Sequence, residues 1–203
     1  MRKIKLICFD LDETLIRGIH SVSYLCILNG KQDDLRELEE REEFHKVHWM
    51  EADYLRVHLA KGLDESKIKV HFDDILKPLK NIADVVNALR QMGLHSILIT
   101  AGPKQVAKAA SEKWGFDAYY GSDYAVVDGV FTGAISHHIG DTGKVACLED
   151  YCAKHNIQPA ECIAVGDGAS DIPLFAHCRA AIAVNYSPLV LGNVKAIKYQ
   201  YRT

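Results

Sequence analysis

The chain lacks any pair of cysteines spaced as CxxC: its six, Cys8, Cys26, Cys147, Cys152, Cys162 and Cys178, are scattered, and most stand inside apolar segments. Such spacings support neither a zinc site nor a disulfide framework, and the pattern is that of buried free thiols. An excess of charge of one sign is missing too. With 24 Lys and Arg against 27 Asp and Glu the net charge is −3, so neither nucleic acid nor an anionic membrane is expected as a partner. No apolar run is long enough to cross a bilayer. Met1-Arg2-Lys3 passes straight into a short strand-like run with no leader pattern, so the expected location is the cytoplasm. There is no internal repeat and no low-complexity tract. At 203 residues, 48% hydrophobic and 25% charged, the chain can hold one core, or one core with a small inserted domain.

What is present begins with Ile4-Lys5-Leu6-Ile7-Cys8-Phe9-Asp10-Leu11-Asp12-Glu13-Thr14-Leu15, an apolar run that delivers two carboxylates at its carboxyl end. A strand buried on both faces reads as a nearly continuous apolar run, and open α/β sheets bind ligands beyond the carboxyl ends of such strands. Asp10 and Asp12 repel each other unless one is protonated or a cation lies between them. A calcium loop does not fit: its sixth position is Leu15 where Gly is needed, and its twelfth is Ser21 where a bidentate Glu is needed.

Between about Arg17 and Lys77 the patterns are helical, with no convincing strand. Asp33-Asp34 is read as the cap of one helix through Leu35, Leu38 and Phe44; a second carries Tyr54, Leu55, His58 and Leu59 and stops at Gly62. After Pro78, helix and strand alternate. Ile82 to Met92 has helical spacing, Ser96–Thr100 reads as a strand, and Val106, Ala110 and Trp114 mark the next helix. Tyr124–Val127 and Val130–Thr132 flank Asp128-Gly129 as a hairpin. Val145, Leu148 and Cys152 share a helix face, and strands follow at Cys162–Gly166, Ala180–Val184 and Lys195–Tyr199. Alternation of this kind predicts an α/β fold with a mainly parallel sheet and right-handed crossovers. The expected organisation is a core of residues 1–16 and 78–203 with residues 17–77 as an inserted helical cap, covering the site like a lid.

Four segment ends supply polar groups in order: Asp10 and Asp12; Thr100-Ala101-Gly102; Gly143-Lys144; and Gly166-Asp167-Gly168-Ala169-Ser170-Asp171. Each alone reads as an ordinary turn or helix start. Together they fit phosphoryl transfer, where charge on the transferring group needs a cation and hydrogen-bond donors. Asp10 and Asp167 are expected to hold Mg2+. The Thr100 hydroxyl, the Gly102 N–H and the Lys144 ammonium are expected to hold the phosphoryl oxygens. Asp12 is left to protonate the leaving oxygen and then activate water.

These four segments resemble the motifs of the haloacid dehalogenase superfamily of aspartate-nucleophile phosphatases. The resemblance implies a Rossmann-like open sheet with a cap, Asp10 as nucleophile, Asp12 as acid/base and, through its backbone carbonyl, a metal ligand beside Asp10 and Asp167. It further implies that Thr100 and Lys144 bind phosphate and that Asp171 supports the lysine and the metal. The helical insertion, the hairpin and GDGASDIPLF resemble the phosphoserine phosphatase-like branch. That branch has Asn where Ser170 stands, and Ser-Gly-Gly-Phe where this chain reads Thr-Ala-Gly-Pro. Arg56 matches its carboxylate-binding arginine, while its acidic amine-reading position is Ile19 here; His20 is the neighbour expected to touch substrate.

The expected activity is therefore that of a Mg2+-dependent phosphomonoester hydrolase acting on a small cytoplasmic metabolite, phosphoserine-like, through an aspartyl-phosphate. The alternative within the superfamily is a catalytically silent phosphate-binding or regulatory module. A receiver domain has no helical insertion and carries its acceptor later in a shorter chain. A dinucleotide-binding domain needs a glycine fingerprint where Asp10-Leu11-Asp12 is anionic. A dehalogenase keeps the nucleophile without needing Asp12 as an acid. His45, His48, His137 and His138 are read as solvated or core histidines, and Phe44, Trp49 and Tyr54 as packing of the insertion.

Overall fold

The computed structural model describes residues 3–45, 48–140, 142–193 and 197–199; Lys195 lies outside them, as do the side chains of Phe44, His45 and Trp49. Its strands are β1 Leu6–Phe9, β2 His95–Pro103, β3 Ala118–Val127, β4 Val130–His137, β5 Cys162–Gly166, β6 Ala180–Val184 and β7 Ile197–Tyr199. Its α-helices are α1 Ser21–Leu28, α2 Gln32–His45, α3 Trp49–Leu59, α4 Lys67–Val70, α5 Phe72–Ile75, α6 Ile82–Gln91, α7 Lys104–Trp114, α8 Gly143–His155, α9 Ile172–His177 and α10 Pro188–Asn193. The strands form one sheet in the order β4-β3-β2-β1-β5-β6-β7. Every neighbouring pair is parallel except β3 and β4.

Side chains alternate across the pleat, so one strand feeds two cores. Leu6 and Cys8 of β1 enter a cluster with Ile97, Ile99, Leu148, Leu174 and Val190, under α8, α9 and α10. Phe9, on the opposite face, packs into a second cluster with Leu98, Val86, Val106 and Trp114, under α6 and α7. All six cysteines are free; Cys8, Cys26, Cys152 and Cys162 are buried. Burial pushes the Cys26 thiol up to about 12 and Cys147 to about 11, which suits packing and not reactivity.

Helices α1 to α5 lie between β1 and β2, and the chain enters and leaves this insertion through one neck. Arg17 N–H donates to the Lys77 carbonyl at 3.1 Å and Leu79 N–H to the Leu15 carbonyl at 2.8 Å. The insertion is not an appendage, because Tyr24, Val57, Leu63 and Phe72 belong to the cluster that also holds Leu98 and Trp114. Aromatic edges connect it to the sheet: Tyr24 to Phe72 at 6.4 Å, Phe72 to Trp114 at 5.6 Å, Trp114 to Phe116 at 6.5 Å and Phe116 to Phe9 at 5.6 Å between centroids. The Tyr24 hydroxyl donates to the Ile68 carbonyl at 2.8 Å.

The structure differs from the sequence reading in three places. Helix α1 was not expected, since Ser21 to Cys26 are all buried and such a helix shows no amphipathic stripe. The second helix starts at Gln32, which puts Asp33 and Asp34 in its first turn, where they favour the helix dipole. The hairpin turn is at Asp128 (φ 51°) and Gly129 (φ 78°), as the Asp-Gly pair predicts. Its arms are longer than expected: Ala118 to Ser122 pair in parallel with β2 before the strand turns into the hairpin. The hairpin tip docks on the insertion, with Gly62 N–H donating to the Phe131 carbonyl at 2.8 Å and Phe131 N–H to Leu63 at 2.9 Å.

Because one cluster spans insertion and sheet, Phe72→Ala is expected to cost about 3–5 kcal/mol and to destabilise both parts together. Urea unfolding followed by tryptophan fluorescence and far-UV circular dichroism checks this. Separate transitions, or a loss below about 1 kcal/mol, would show the insertion folding by itself.

Candidate active site

Strands β1 and β5 are adjacent and in register, Phe9 opposite Val165, so the residues that follow them emerge side by side. Asp10 N–H donates to the Val165 carbonyl at 2.8 Å, and Asp167 follows directly after β5. Helix α8 begins at Gly143 and sends Lys144 between them. The Lys144 ammonium donates to Asp10 Oδ1 and to Asp171 Oδ1, both at 2.6 Å. Lys144 is only 1% exposed and Asp171 is fully buried.

Asp171 is largely committed to its partners. Its second oxygen accepts the backbone N–H groups of Asp167 (3.0 Å) and Gly168 (3.1 Å). Gly166 is required beneath this turn, since a Cβ there would sit 2.4 Å from the Asp171 carboxyl. The Thr14 hydroxyl lies 3.1 Å from Asp10 Oδ2 and 3.4 Å from Asp167 Oδ1. The carboxylates of Asp10, Asp167 and Asp171 lie within 4.8 Å of one another, with Lys144 as the ammonium among them.

That imbalance shows in their proton affinity. Burial pushes Asp10 up to about 7, the carboxylates of Asp171 and Asp12 adding to the rise against the pull of Lys144. Burial and the Asp10 and Asp171 charges push Asp167 up to about 8. Burial opposes the charge on Lys144, but Asp10 and Asp171 outweigh it and hold the ammonium well above its ordinary range. A cluster with more carboxylates than cations fits a further cation. With Asp171 committed to Lys144 and the backbone, Asp10 and Asp167 are the carboxylates that suit it, and an all-oxygen donor set suits a hard ion such as Mg2+.

Asp12 has a different environment. Its carboxylate accepts the Ser21 N–H on Oδ1 and the Ser21 hydroxyl on Oδ2, each at 2.6 Å, and the Thr100 hydroxyl lies 3.5 Å from Oδ2. Burial raises its pKa; His20 and the Ser21 hydrogen bonds work in the other direction. Only glycine fits at 102, where a Cβ would lie 2.1 Å from the Ser21 hydroxyl. The Gly102 N–H donates to Thr100 Oγ1 at 3.0 Å. Strand β2 runs on to Pro103, its pairing with β3 shifts register between Ile99 and Pro103, and α7 begins only at Lys104. Thr100, Ala101 and Gly102 are thus an irregular strand end and not a helix start.

These groups line a cavity of about 660 Å³, roofed by α1, α2 and α3. Asp10, Asp12, Thr100, Ala101, Gly102, Lys144, Asp167, Gly168 and Ser170 come together on its sheet side, and His20 and Arg56 on its helical side. Asp171 lies beneath them. Ile19 does not line the cavity, because its side chain packs against the apolar cluster instead. The sequence reading gave no site role to Thr14, Ser21, Ser23, Glu39 or Asp53. Thr14 and Ser21 act on Asp10 and Asp12 from four and nine residues away, Ser23, Glu39 and Asp53 line the helical side, and the only local signal was Asp53 three residues before Arg56 on one helix face.

Comparison with known proteins agrees with this geometry. The chain is 29% identical over 185 residues to a phosphoserine phosphatase of Halobacterium salinarum, covering 90% of this chain and 87% of that one. A phosphoserine phosphatase of Archaeoglobus fulgidus is also 29% identical, but there the chain spans only 53% of the relative's length. Among solved structures, a substrate-bound phosphoserine phosphatase complex superposes with a TM-score of 0.82 at 23% identity, covering all of this chain and 95% of that one. A phospho-aspartyl intermediate analogue of phosphoserine phosphatase gives 0.80 at 23% identity, covering 99% and 95%. The family model for haloacid dehalogenase-like hydrolases matches residues 7–176, from the first residues of β1 through α9, and the chain belongs to that family.

Proposed function

We propose that the protein is a Mg2+-dependent phosphomonoester hydrolase that acts on a small phosphorylated metabolite of the cytoplasm through a phosphoenzyme on Asp10. The observation that carries this reading is the pairing of a buried and a half-buried carboxylate, two residues apart, with different partners: Asp10 with an ammonium, Asp12 with a hydroxyl and an amide. The similarity to phosphoserine phosphatases supports the phosphatase class. Residues 1–16 and 78–203 then serve as the catalytic core and 17–77 as its cap.

In this mechanism the Asp10 carboxylate attacks phosphorus while the bond to the leaving oxygen breaks, and the Asp12 carboxylic acid gives its proton to that oxygen. Ser21 holds Asp12 in place for the transfer. In the second half Asp12, now a carboxylate, takes a proton from water, whose oxygen attacks phosphorus and releases Asp10. Lys144 fixes the Asp10 carboxylate and, with the Thr100 hydroxyl, offers donors to the phosphoryl oxygens. Asp10, Asp167 and the Asp12 carbonyl would hold Mg2+, and the ion when bound would supply positive charge against the phosphoryl group. Arg56 suits an acidic group on the far end of the substrate.

Asp10→Asn is expected to abolish phosphate release from p-nitrophenyl phosphate and O-phosphoserine, because the amide is a poor nucleophile, and to prevent trapping by beryllofluoride. Asp12→Asn is expected to lower kcat by roughly 100- to 10,000-fold while the protein still takes up beryllofluoride. Phosphate assays and mass spectrometry of the trapped protein read both. Wild-type turnover by Asp10→Asn would remove Asp10 as nucleophile, and beryllofluoride uptake with no turnover of any ester by the wild type would favour a silent phosphate-binding module.

The carboxylate cluster also sets a pH dependence. Asp10 and Asp167 titrate near 3.8 when unperturbed and near 7 and 8 in the folded protein. Between these values the folded state binds more protons than the unfolded chain, so stability falls as pH rises from about 4 to about 8. A cation that replaces those protons opposes the fall. In EDTA the melting temperature should drop across this window, and added Mg2+ should raise it more at pH 8 than at pH 5. A melting temperature that climbs with pH in EDTA, or a Mg2+ effect larger at pH 5, would contradict the assignment.

A further inference from the structure

One buried side chain outside the cavity governs the strand end that faces it. Ser122, on β3, is fully buried and stands opposite Pro103 of β2, where the register shifts after Ile99. Gly121 lets the two strands come this close, since a Cβ there would lie 2.8 Å from Lys104 Cα and 3.0 Å from the Gly102 carbonyl oxygen. The Ser122 hydroxyl donates to the Ala101 carbonyl at 2.5 Å, and its oxygen accepts the Ile139 N–H at 3.0 Å. The incoming N–H occupies a lone pair and leaves the hydroxyl proton to Ala101.

That bond sets the direction of a donor on the far side of the loop. A peptide unit is planar, and in its trans form the C=O and the N–H point opposite ways. The Ala101–Gly102 peptide is trans, so anchoring the Ala101 carbonyl on Ser122 turns the Gly102 N–H away from Ser122. There it donates to Thr100 Oγ1 at 3.0 Å. With its oxygen accepting, Thr100 keeps its hydroxyl proton for the cavity it lines. Asp12 Oδ2 is 3.5 Å away, farther than the roughly 2.5–3.0 Å of a good O–H···O bond. The Thr100 proton is thus loosely engaged, and a phosphoryl oxygen can take it.

The other end of this series reaches the start of α8. The Ile139 carbonyl accepts the Gly143 N–H at 3.1 Å, and a Cβ at Gly143 would lie 2.7 Å from Ile139 Cγ2. The residue before Lys144 is therefore seated on Ile139, and one hydroxyl ties the Thr100 loop to the helix that carries the lysine.

We propose that Ser122 is a positioning residue for the phosphoryl group: through the Ala101–Gly102 peptide it keeps the Thr100 hydroxyl a donor to the phosphoryl oxygens. This deepens the phosphatase reading and rests on it. The bonds run one way, from Ile139 to Ser122, from Ser122 to Ala101 and from Gly102 to Thr100, and donors in series polarise one another. Without the Ser122 hydroxyl the peptide can turn, and the Gly102 N–H no longer holds the Thr100 oxygen as an acceptor.

A double-mutant cycle on Ser122 and Thr100 tests this, because residues that act through one another are not additive. Ser122→Ala is expected to lower kcat/KM for p-nitrophenyl phosphate and O-phosphoserine alike by about 10- to 100-fold, the scale of buried polar groups left unpaired. It should weaken orthophosphate binding, read by calorimetry, in the same direction. Thr100→Val should do likewise, and in its background Ser122→Ala should cost less than about threefold more. Ser122→Thr, which retains the hydroxyl, should stay within about threefold of the wild type. Circular dichroism checks that the compared proteins fold; if Ser122→Ala does not, Ser122→Cys, a weaker donor of similar shape, takes its place in the cycle. Wild-type kinetics in Ser122→Ala, losses that multiply in full with those of Thr100→Val, or an equal loss in folded Ser122→Thr would overturn the inference and leave the phosphatase reading standing. If the wild type hydrolyses no ester, the calorimetric cycle decides alone. Coupling there would uphold the positioning role in a phosphate-binding module, and additive losses, or no orthophosphate binding by the wild type, would remove both ideas.

Discussion

A single buried ammonium organises the centre of this molecule. Lys144 sits 2.6 Å from both Asp10 and Asp171 with almost no exposure to solvent. Removing one member of such a set leaves a charge buried without a partner, which costs more than the intact pair contributes. The constraint spreads outward from there. It fixes where α8 begins, holds the end of β1 against the end of β5, and requires Gly166 because the Asp171 carboxyl occupies the space of a side chain there. Asp171 in turn caps the turn that carries Asp167, so the polar cluster and the local backbone specify each other.

The cavity exists because the insertion is tied to the sheet at several points around it. The aromatic series from Tyr24 to Phe9 joins α1 and α5 to the strand that carries Asp10. The hairpin tip reaches the loop after α3 through backbone hydrogen bonds. Ion pairs of Lys113 with Asp73 at 2.6 Å, and of Lys69 with Glu112, join α5 and α4 to α7. By contrast, over its described side chains α2 is mostly polar and exposed, with Leu35 buried.

The framework was legible because apolar runs with carboxylates at their ends have few alternative interpretations. Asp10, Thr100, Lys144 and Asp167 each stand where a strand or helix begins or ends, and parallel β1, β2 and β5 bring those ends together. Helix α1 was hidden because total burial erases amphipathic periodicity. The five residues given no site role in advance were hidden for a related reason. Ser21, Ser23, Glu39 and Asp53 come from three helices whose mutual packing no local pattern encodes, and their types are ordinary for helix starts and solvated faces. His138 illustrates the limit: a core histidine is the right description of its burial, yet its hydrogen bond to Asp53 crosses from the sheet to the insertion, and only the third dimension shows that.

Asp10 and Asp12 are chemically identical and two residues apart, so any division of labour between them must come from their surroundings. Asp10 is bound by an ammonium and the Thr14 hydroxyl, which fix its carboxylate and oppose the upward pull of burial. Asp12 accepts from the Ser21 amide and hydroxyl; burial raises its pKa, while His20 and those hydrogen bonds oppose the rise. Neutral donors fix a carboxyl group's position while leaving it able to carry a proton, and position plus proton is what an acid for the leaving oxygen requires. The residue that holds it, Ser21, is also the first residue of α1. In the proposed mechanism this would couple the acid to the seating of the insertion: the contact that joins α1 to the site also sets Asp12 in place, so proton transfer would be supported when the insertion is seated.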